Sequence, residues 1–453
     1  MKIGELAAAT DGRLLQGDQD WTIARAAVDS RKVQPGDLFV AVQGERTDGH
    51  FYIGKALEAG AAGVLMERAV ALPAGVPAVL VDDVRRALLA AARYMAARYG
   101  GLVGAVTGSV GKTTTKELWA ATLTPLGPVF RNPGNFNSDI GMPLALFGLT
   151  EEHRSAVFEL GMRGRGEIAR LAGIVRPRIG IITVIGHAHL EVLGSVEAIA
   201  RAKSELLSAL PQDGTAVLNA DDPWLPFLRL SAPHRILLVG RDPSADLRIL
   251  GSENLGVEGS LLHLGYGGAD ITCRLTLVGE GAVLDAALAV GGALAAGVPF
   301  AQAAEALSRA EPPHGRLRTL TRRGMTAIDD TYNASPQSLD VALKLLRELP
   351  CQGRRIAVLG DMRELGDEEA ELHRDMGRSA AVSADVVVAV GEFAPLVAEA
   401  ARAAGASAEA FAGVGAVAPW LRGFCREGDV VLFKASRAIG LERALGDWLE
   451  VAP

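Results

Sequence analysis

Cysteine is scarce, with three in 453 residues, at positions 273, 351 and 425. No two stand at the spacing of a zinc site or a disulfide framework, which excludes a stapled architecture and fits a reducing compartment. Aromatic residues make up only 5%, and positive charge is not in excess: 46 Lys and Arg against 53 Asp and Glu give a net charge of -7. That balance argues against a general polyanion-binding surface, so nucleic acid is not an expected partner. Runs of lipid-spanning quality are missing too. The longest uncharged stretch, Ala286 to Ala304, is rich in Ala and Gly and contains Pro299, so it reads as buried helix with no membrane insertion. Near the start, Glu5 and Asp11 interrupt what would have to be the apolar core of an export signal, and a cytoplasmic setting is expected.

What the chain does have is length, 49% hydrophobic residues and 53 glycines. At about 150 residues per domain the length predicts three domains. From Val40 to Tyr99, short apolar runs (LFVAV, AGVLM, AVLVDD) alternate with helical stretches, and YGG at Tyr99 to Gly101 offers glycines for a C-cap and a link. Beyond it LVGAVTG, SAVFELG, RIGIITVIG, GTAVLNADD and RILLVG predict a mostly parallel, helix-covered sheet. Leu247 to Val278 alternates as antiparallel hairpins do. EPPHG, at Glu311 to Gly315, marks a second boundary. MTAIDD, RRIAVLGD, ADVVVAVG and DVVLFKAS then repeat the strand pattern, with helices from Pro336, Asp367, Ala394 and Ile439. The expected fold is therefore α/β in three domains: 1–100, an α/β unit; 101–311, a P-loop-type mostly parallel sheet with appended strands; and 312–453, a Rossmann-like unit.

The strongest chemical signal is LVGAVTGSVGKTTTKELWAATL, a buried strand that runs into a Gly-rich turn and then a helix starting near Lys112. Helix amides, glycines and an ammonium converge there on anionic oxygen. The spacing departs from the common Walker A pattern, which would place Gly at Val106; here Gly108 stands only three before Gly111. Lys112 would still reach phosphate oxygens and Thr113 would hold Mg²⁺. Glu159, at the carboxyl end of a predicted strand, suits either a Mg²⁺ carboxylate or a solvated turn residue. In IGHAHLEVLGSVEAIARAKSELL, His189 reads as a metal ligand or a hydrogen-bonded surface group. Lys203, on a helix capped by Ser195, reads on its own as a solvated residue.

Taken together and in this order, TGSVGKTTTKE, NPGNFNSDIGMPLAL, ELGMRGRGEI, HAHLEVLGSVEAIARAKSEL, DDTYNASPQSL, LGDMRELG and VLFKASR resemble the ATP-dependent Mur ligases over nearly the whole chain. NPGNFNS and YNASP are most similar to the MurF branch, and DSRKVQPGDLFVAVQGERTDGHFYIGKAL resembles the uridine-nucleotide domain shared by the MurE and MurF branches. No DNPR segment of the diaminopimelate-recognising kind is present.

The resemblance implies that domain 1–100 holds the UDP-sugar, 101–311 holds ATP, and 312–453 closes over both and binds the incoming dipeptide. Gly108, Ser109, Val110, Gly111, Lys112, Thr113 and Thr114 would hold the triphosphate; Thr113, Glu159 and His189 would hold Mg²⁺. Lys203 matches the family's carbamylated lysine, whose carbamate supplies the oxygen that a plain lysine cannot give a hard cation. Arg316, Asp330 and Asn333 would contact the nucleotide, with Ser335 nearby; Lys434 and Arg437 match a closing basic element, and Ser30 and Arg31 a diphosphate-binding one. The expected catalytic set is Lys112, Glu159, His189 and Lys203. The substrates would be ATP, UDP-N-acetylmuramoyl-tripeptide and D-alanyl-D-alanine, and the chain would be monomeric.

Five positions depart from the family pattern. Gly281, Ala282 and Asp285 stand where relatives usually carry the specific residues of G-x-H-N-x-x-N, whose asparagines help bind adenine; either Asp285 and backbone groups suffice, or base selectivity is loose, or the alignment there slips. Val184 and Ala435 replace a frequent Asn and Gly. The competing readings are another ligase of the superfamily (MurE-type or folylpolyglutamate synthetase-like), a P-loop kinase or GTPase-like switch, and a non-catalytic nucleotide-binding or UDP-sugar-binding regulator.

Overall fold

Three β-sheets succeed one another along the chain in the computed structural model. It describes all residues except 45–46, 187–189, 234, 312–313, 364 and 451–453. The first sheet contains β1 (Arg13–Gln16), β2 (Ala26–Ala27), β3 (Leu38–Val40), β4 (Gly63–Met66) and β5 (Ala78–Leu80), in the order β1-β5-β4-β3-β2. Only β1 runs antiparallel to its neighbour.

The second sheet has nine strands: β6 (Leu102–Thr107), β7 (Val129–Arg131), β8 (Ser155–Glu159), β9 (Ile179–Ile182), β10 (Thr215–Asn219), β11 (Arg235–Gly240), β12 (Leu247–Asn254), β13 (Ser260–Tyr266) and β14 (Ala269–Leu275). Their order is β14-β13-β12-β11-β10-β9-β6-β8-β7. Strands β6 to β12 pair in parallel, and β13 and β14 extend the edge as an antiparallel meander. β6 and β8 are buried along most of their length, as continuous apolar runs should be when helices cover both faces.

The Ala-rich segment is indeed buried helix, Glu280–Ala295, with Ala286 to Val290 fully enclosed. Among the described residues no helix is long and apolar enough to cross a membrane. This helix packs on helix Lys112–Thr122 around Trp119, which is fully buried. Two glycines make that room: a Cβ on Gly104 of β6 would lie 2.2 Å from the indole, and one on Gly292 would lie 2.5 Å from it. The phosphate-loop helix is thereby fixed between the sheet and a second helix.

The third sheet consists of β15 (Arg318–Arg322), β16 (Met325–Asp330), β17 (Arg355–Gly360), β18 (Val386–Val390), β19 (Ser407–Phe411) and β20 (Val430–Lys434), ordered β15-β16-β20-β17-β18-β19. All pairs are parallel except the β15–β16 hairpin. Helices Pro336–Glu348, Glu369–Ser383 and Ala394–Ala403 fall where the pattern placed them; the last helix begins at Glu442, after a 3₁₀ turn over Arg437–Ile439. β15 and β19 were not expected, because RTLTR and SAEAF are edge strands with too little apolar content to stand out.

One local expectation is corrected. The helix Val84–Arg98 ends on Tyr99 in extended conformation, and neither Gly100 nor Gly101 adopts a left-handed cap. Gly101 is small for another reason: a Cβ there would lie 2.3 Å from the Tyr99 hydroxyl and 2.8 Å from the Arg154 carbonyl.

Candidate active site

The turn between β6 and helix Lys112–Thr122 is built from positive-φ glycines, Gly108 at +157° and Gly111 at +84°. Gly111 is the residue that immediately precedes the helix, so its left-handed backbone aims the first helical amides into the turn. Space forbids larger residues at both sites: a Cβ on Gly108 would lie 1.8 Å from Thr183 Oγ1, and one on Gly111 would lie 2.1 Å from Asp285 Oδ1. The loop is held from below by Thr183 Oγ1, which donates to the Val110 carbonyl at 2.5 Å. It is also held by Ser109, whose Oγ accepts from the Gly186 amide at 2.9 Å and donates to its carbonyl at 3.1 Å. Val184, the unusual residue after Thr183, takes part through its backbone carbonyl, which accepts from the Ser109 amide at 2.8 Å.

Two lysines converge on this turn. Lys112 Nζ donates to the carbonyls of Gly108 (2.8 Å) and Ser109 (3.2 Å), and Lys203 Nζ donates to the same Gly108 carbonyl at 2.8 Å. Lys203 is 1% exposed and projects from helix Val196–Ser208, which Ser195 caps by accepting from the Ala198 amide. Burial, and then repulsion from Lys112, hold the Lys203 amine well below the usual lysine range. Burial also lowers Lys112, against the attraction of Glu159.

Glu159 ends β8 and is 2% exposed. Thr113 Oγ1 donates to its Oε2 at 2.8 Å and Asn137 Nδ2 to its Oε1 at 2.7 Å. Asn132 grips its backbone from both sides, accepting from the amide at 2.8 Å and donating to the carbonyl at 3.2 Å. Lys116, fully buried, donates to the Asn132 carbonyl at 2.7 Å and lies 3.0 Å from Glu117. The NPGNFNS stretch therefore acts as a brace for Glu159. Sequence reasoning named the stretch without giving Asn132, Asn137 or Lys116 a role; the partnership spans up to 27 residues and has no periodic signature.

From the third sheet, Arg316 reaches across to Thr113 Oγ1 at 3.2 Å, while its guanidinium lies 4.2 Å from the centre of the Tyr332 ring. Its Nε is buried and has no hydrogen-bond partner among the described residues, and the next residue, Leu317, has a positive φ of +52°. A buried guanidinium N–H beside a phosphate-type turn suits an anionic oxygen. The Arg437 guanidinium also lies over the Tyr332 ring, 5.6 Å from its centre, and stands 3.4 Å from Glu442. Tyr332 was not singled out in the sequence. Asp330 and Lys434, neighbours across β16 and β20, form an ion pair at 2.5 Å, and Lys434 also donates to the Asn333 carbonyl at 3.0 Å. Burial still lowers the Lys434 amine, although Asp330 opposes the shift. Ser335 caps helix Pro336–Glu348.

Asp285 has a different post from an adenine contact. Its carboxyl accepts from Thr115 Oγ1 at 3.1 Å and faces the underside of Gly111, and burial pushes it up to about 8. Ser30 and Arg31 belong to the N-terminal unit, where Asp29 takes both arms of the Arg31 fork, at 2.9 and 2.8 Å. Ala435, in place of a frequent Gly, is fully buried. His189 lies outside the described residues.

Oxygen donors suit a hard cation, and Thr113 and Glu159 supply a hydroxyl and a carboxylate at one point beside the turn. The residues present thus fit Mg²⁺ and a polyphosphate.

Comparison with known proteins points the same way. The Mur ligase family catalytic domain matches residues 22–97, the Mur ligase middle domain 106–293, and the Mur ligase glutamate ligase domain 315–437. The UDP-N-acetylmuramoyl-tripeptide–D-alanyl-D-alanine ligase of Bacillus subtilis is 34% identical, with 99% of this chain and 98% of that protein covered. Its Escherichia coli counterpart is also 34% identical, over 81% and 80%. A crystal structure of MurF from Acinetobacter baumannii superposes with a TM-score of 0.86 at 34% identity, covering 99% of both chains. MurF from Thermotoga maritima in complex with ADP gives 0.77 at 29% identity, covering 94% of this chain and 96% of that one. The three matched segments each fall on one of the three sheets, and the chain belongs to the Mur ligase family.

Proposed function

We propose that this chain joins D-alanyl-D-alanine to UDP-N-acetylmuramoyl-tripeptide at the expense of ATP, giving the UDP-linked pentapeptide precursor of peptidoglycan, ADP and phosphate. The carrying observation is the convergence of Lys112, Thr113–Glu159 and Arg316, whose Nε has no partner among the described residues, on one Gly-rich turn. It is joined by identity of 34% to the Bacillus subtilis ligase over 99% of the chain.

A carboxylate resists attack by an amine, so the tripeptide carboxylate first takes the γ-phosphoryl group of ATP. The amine of D-alanyl-D-alanine then forms the C–N bond, phosphate leaves with the C–O electron pair, and the amine sheds a proton. Mg²⁺, held through Thr113 and Glu159, supplies neutralisation of phosphate charge when bound. Lys112 gives up its two carbonyl partners to phosphate oxygens, and Arg316 offers Nε. The turn residues Gly108 to Thr114 wrap the triphosphate. Asp330 and Asn333 sit on the nucleotide side of the C-terminal sheet, where an ion pair with Lys434 holds the Asp330 carboxylate in place. Lys434 and Arg437 close over the reacting groups. Ser30 and Arg31 serve the diphosphate of the UDP-sugar, His189 joins the metal set, and divisions near residues 100 and 312 separate the UDP-sugar, ATP and closing units. The protein works as a cytoplasmic monomer.

Lys203 is read as the carbamate site. Burial favours the neutral amine over the ammonium, and the neutral amine is the form that adds CO₂: the nitrogen lone pair forms the N–C bond and one proton leaves, giving an anionic carbamate. The remaining N–H can keep the Gly108 carbonyl as its partner.

The deciding experiment is phosphate release with product mass. Purified protein with Mg²⁺-ATP, UDP-N-acetylmuramoyl-tripeptide and D-alanyl-D-alanine is expected to release phosphate and form the pentapeptide. No release beyond an ATP-only control would sink the proposal, and faster reaction with single amino acids than with the dipeptide would move the chain to another branch.

A further inference from the structure

β16 and β20 end at Asp330 and Lys434, on the edge that faces the phosphate turn. A cavity of about 270 Å³ lies at their opposite ends. Its floor is apolar, with Met325, Leu421 and Trp448, and its rim carries Arg322, Arg323, Arg422 and Arg426. Four guanidiniums face two carboxylates there, Glu427 and Glu450, in a chain that is acidic as a whole. The side chains of Arg322, Arg323 and Arg426 have no hydrogen-bond or ion-pair partner among the described residues. Nearby Arg354, by contrast, is paired with Asp429 at 2.7 Å, and Arg422 donates to the Asp447 carbonyl.

Arg323 adds a second observation. With Gly324 it forms the two-residue connection between β15 and β16, where Arg322 pairs with Met325 and both connecting residues have positive φ, +49° and +71°. Such turns favour Asn, Asp or Gly at the first position, because other side chains crowd the backbone there. Turn chemistry does not call for arginine, and its guanidinium comes out on the cavity rim.

We propose that this cavity is a second ligand site, for a small organic anion that joins a doubly charged oxyanion to a hydrocarbon group. Unpaired forks suit an oxyanion that can accept two hydrogen bonds from each, and the apolar floor suits the hydrocarbon. The site is separate from the phosphate turn and does not depend on which reaction the chain catalyses.

Phenyl phosphate is the probe, titrated calorimetrically into the whole chain with Mg²⁺ and a non-hydrolysable ATP analogue at saturation, so that the phosphate turn is filled. One equivalent should bind, at least about tenfold more tightly than inorganic phosphate, and phenol should give no heat. R323A/R426A should weaken phenyl phosphate by about tenfold or more and leave the affinity for the ATP analogue unchanged, since both side chains are exposed. The proposal is overturned by equal binding in the wild type and the double variant, by no heat from phenyl phosphate at millimolar concentration, or by inorganic phosphate binding as tightly.

Discussion

Two buried lysines approach the cleft from opposite sides and are neutralised in opposite ways. Lys434 meets the Asp330 carboxylate at 2.5 Å and is complete without a ligand. Lys203 has one carbonyl, that of Gly108, and its neighbouring charge is another cation, Lys112. On the C-terminal wall the Lys434 charge is therefore already matched, by the Asp330 carboxylate, before any substrate arrives. On the wall of the central sheet Lys203 has, among the described residues, no carboxylate beside it, only Lys112, which Glu159 attracts, and an amine so placed is open to a partner that arrives from outside. The orphaned Arg316 Nε belongs with the second group, although it comes from the C-terminal side.

The sharpest way to break this contrast is to remove each lysine while keeping its volume. Lys203→Met removes a buried amine that has no carboxylate partner among the described residues, so folding stability should stay level or rise, while turnover falls by about 10³-fold, or roughly 4 kcal/mol of transition-state stabilisation. Denaturant unfolding and phosphate release, measured on the same preparation with bicarbonate present, check both halves. Near-normal turnover would remove the carbamate role. A large loss of stability would show that the folded chain leans on Lys203 as it does on the Asp330–Lys434 pair.

Lys434→Met should do the reverse, since it strands the Asp330 carboxylate in the core. A loss of about 3 kcal/mol of stability is expected, and Asp330→Asn added to it should recover most of that loss, because no unpaired charge then remains. If the double variant is no more stable than Lys434→Met, the pair is not what organises the strand ends, and the contrast between the two walls loses one side.

The parts of this arrangement that could be read from the sequence are those written in short, local patterns. A buried strand, two glycines and the start of a helix lie within Leu102 to Lys112, and their order alone carries the turn. Glu159 was placed by its position at a strand end, whereas Asp330 and Lys434 were read separately and become neighbours only because their strands pair in parallel in the structure. What escaped was the set of contacts between segments. Asn132 and Asn137 reach Glu159 from a loop, Tyr332 gathers Arg316 and Arg437 by ring stacking, and Lys116 is buried on carbonyl oxygens where an exposed helix lysine would be the ordinary expectation. Side-chain amides and carbonyl acceptors leave no periodicity to detect. Asp285 was legible as an unusual residue, but its role depended on which face of helix Glu280–Ala295 meets the turn, which only packing against Trp119 decides.

Asp285 also tests the contrast in its mildest form, because it shows a third way to bury an ionisable group, by keeping the proton. Its carboxyl, pushed up to about 8 by burial, would ionise near 3.8 once the chain unfolds. Between those values the folded state holds a proton that the unfolded chain has released. Stability should therefore fall as pH rises through this window, by roughly 1.4 kcal/mol per pH unit at the steepest, and the penalty should vanish below it. Asp285→Asn keeps an oxygen acceptor for Thr115 and removes the titration. Urea unfolding at about pH 5 and pH 7.5 should show the variant gaining on the wild type as pH rises. A gap that does not change with pH would mean that the carboxylate is already ionised beneath Gly111. Lys112 and Arg316, which both favour the charged form, would then have found a counter-charge in Asp285, as Lys112 already has in Glu159.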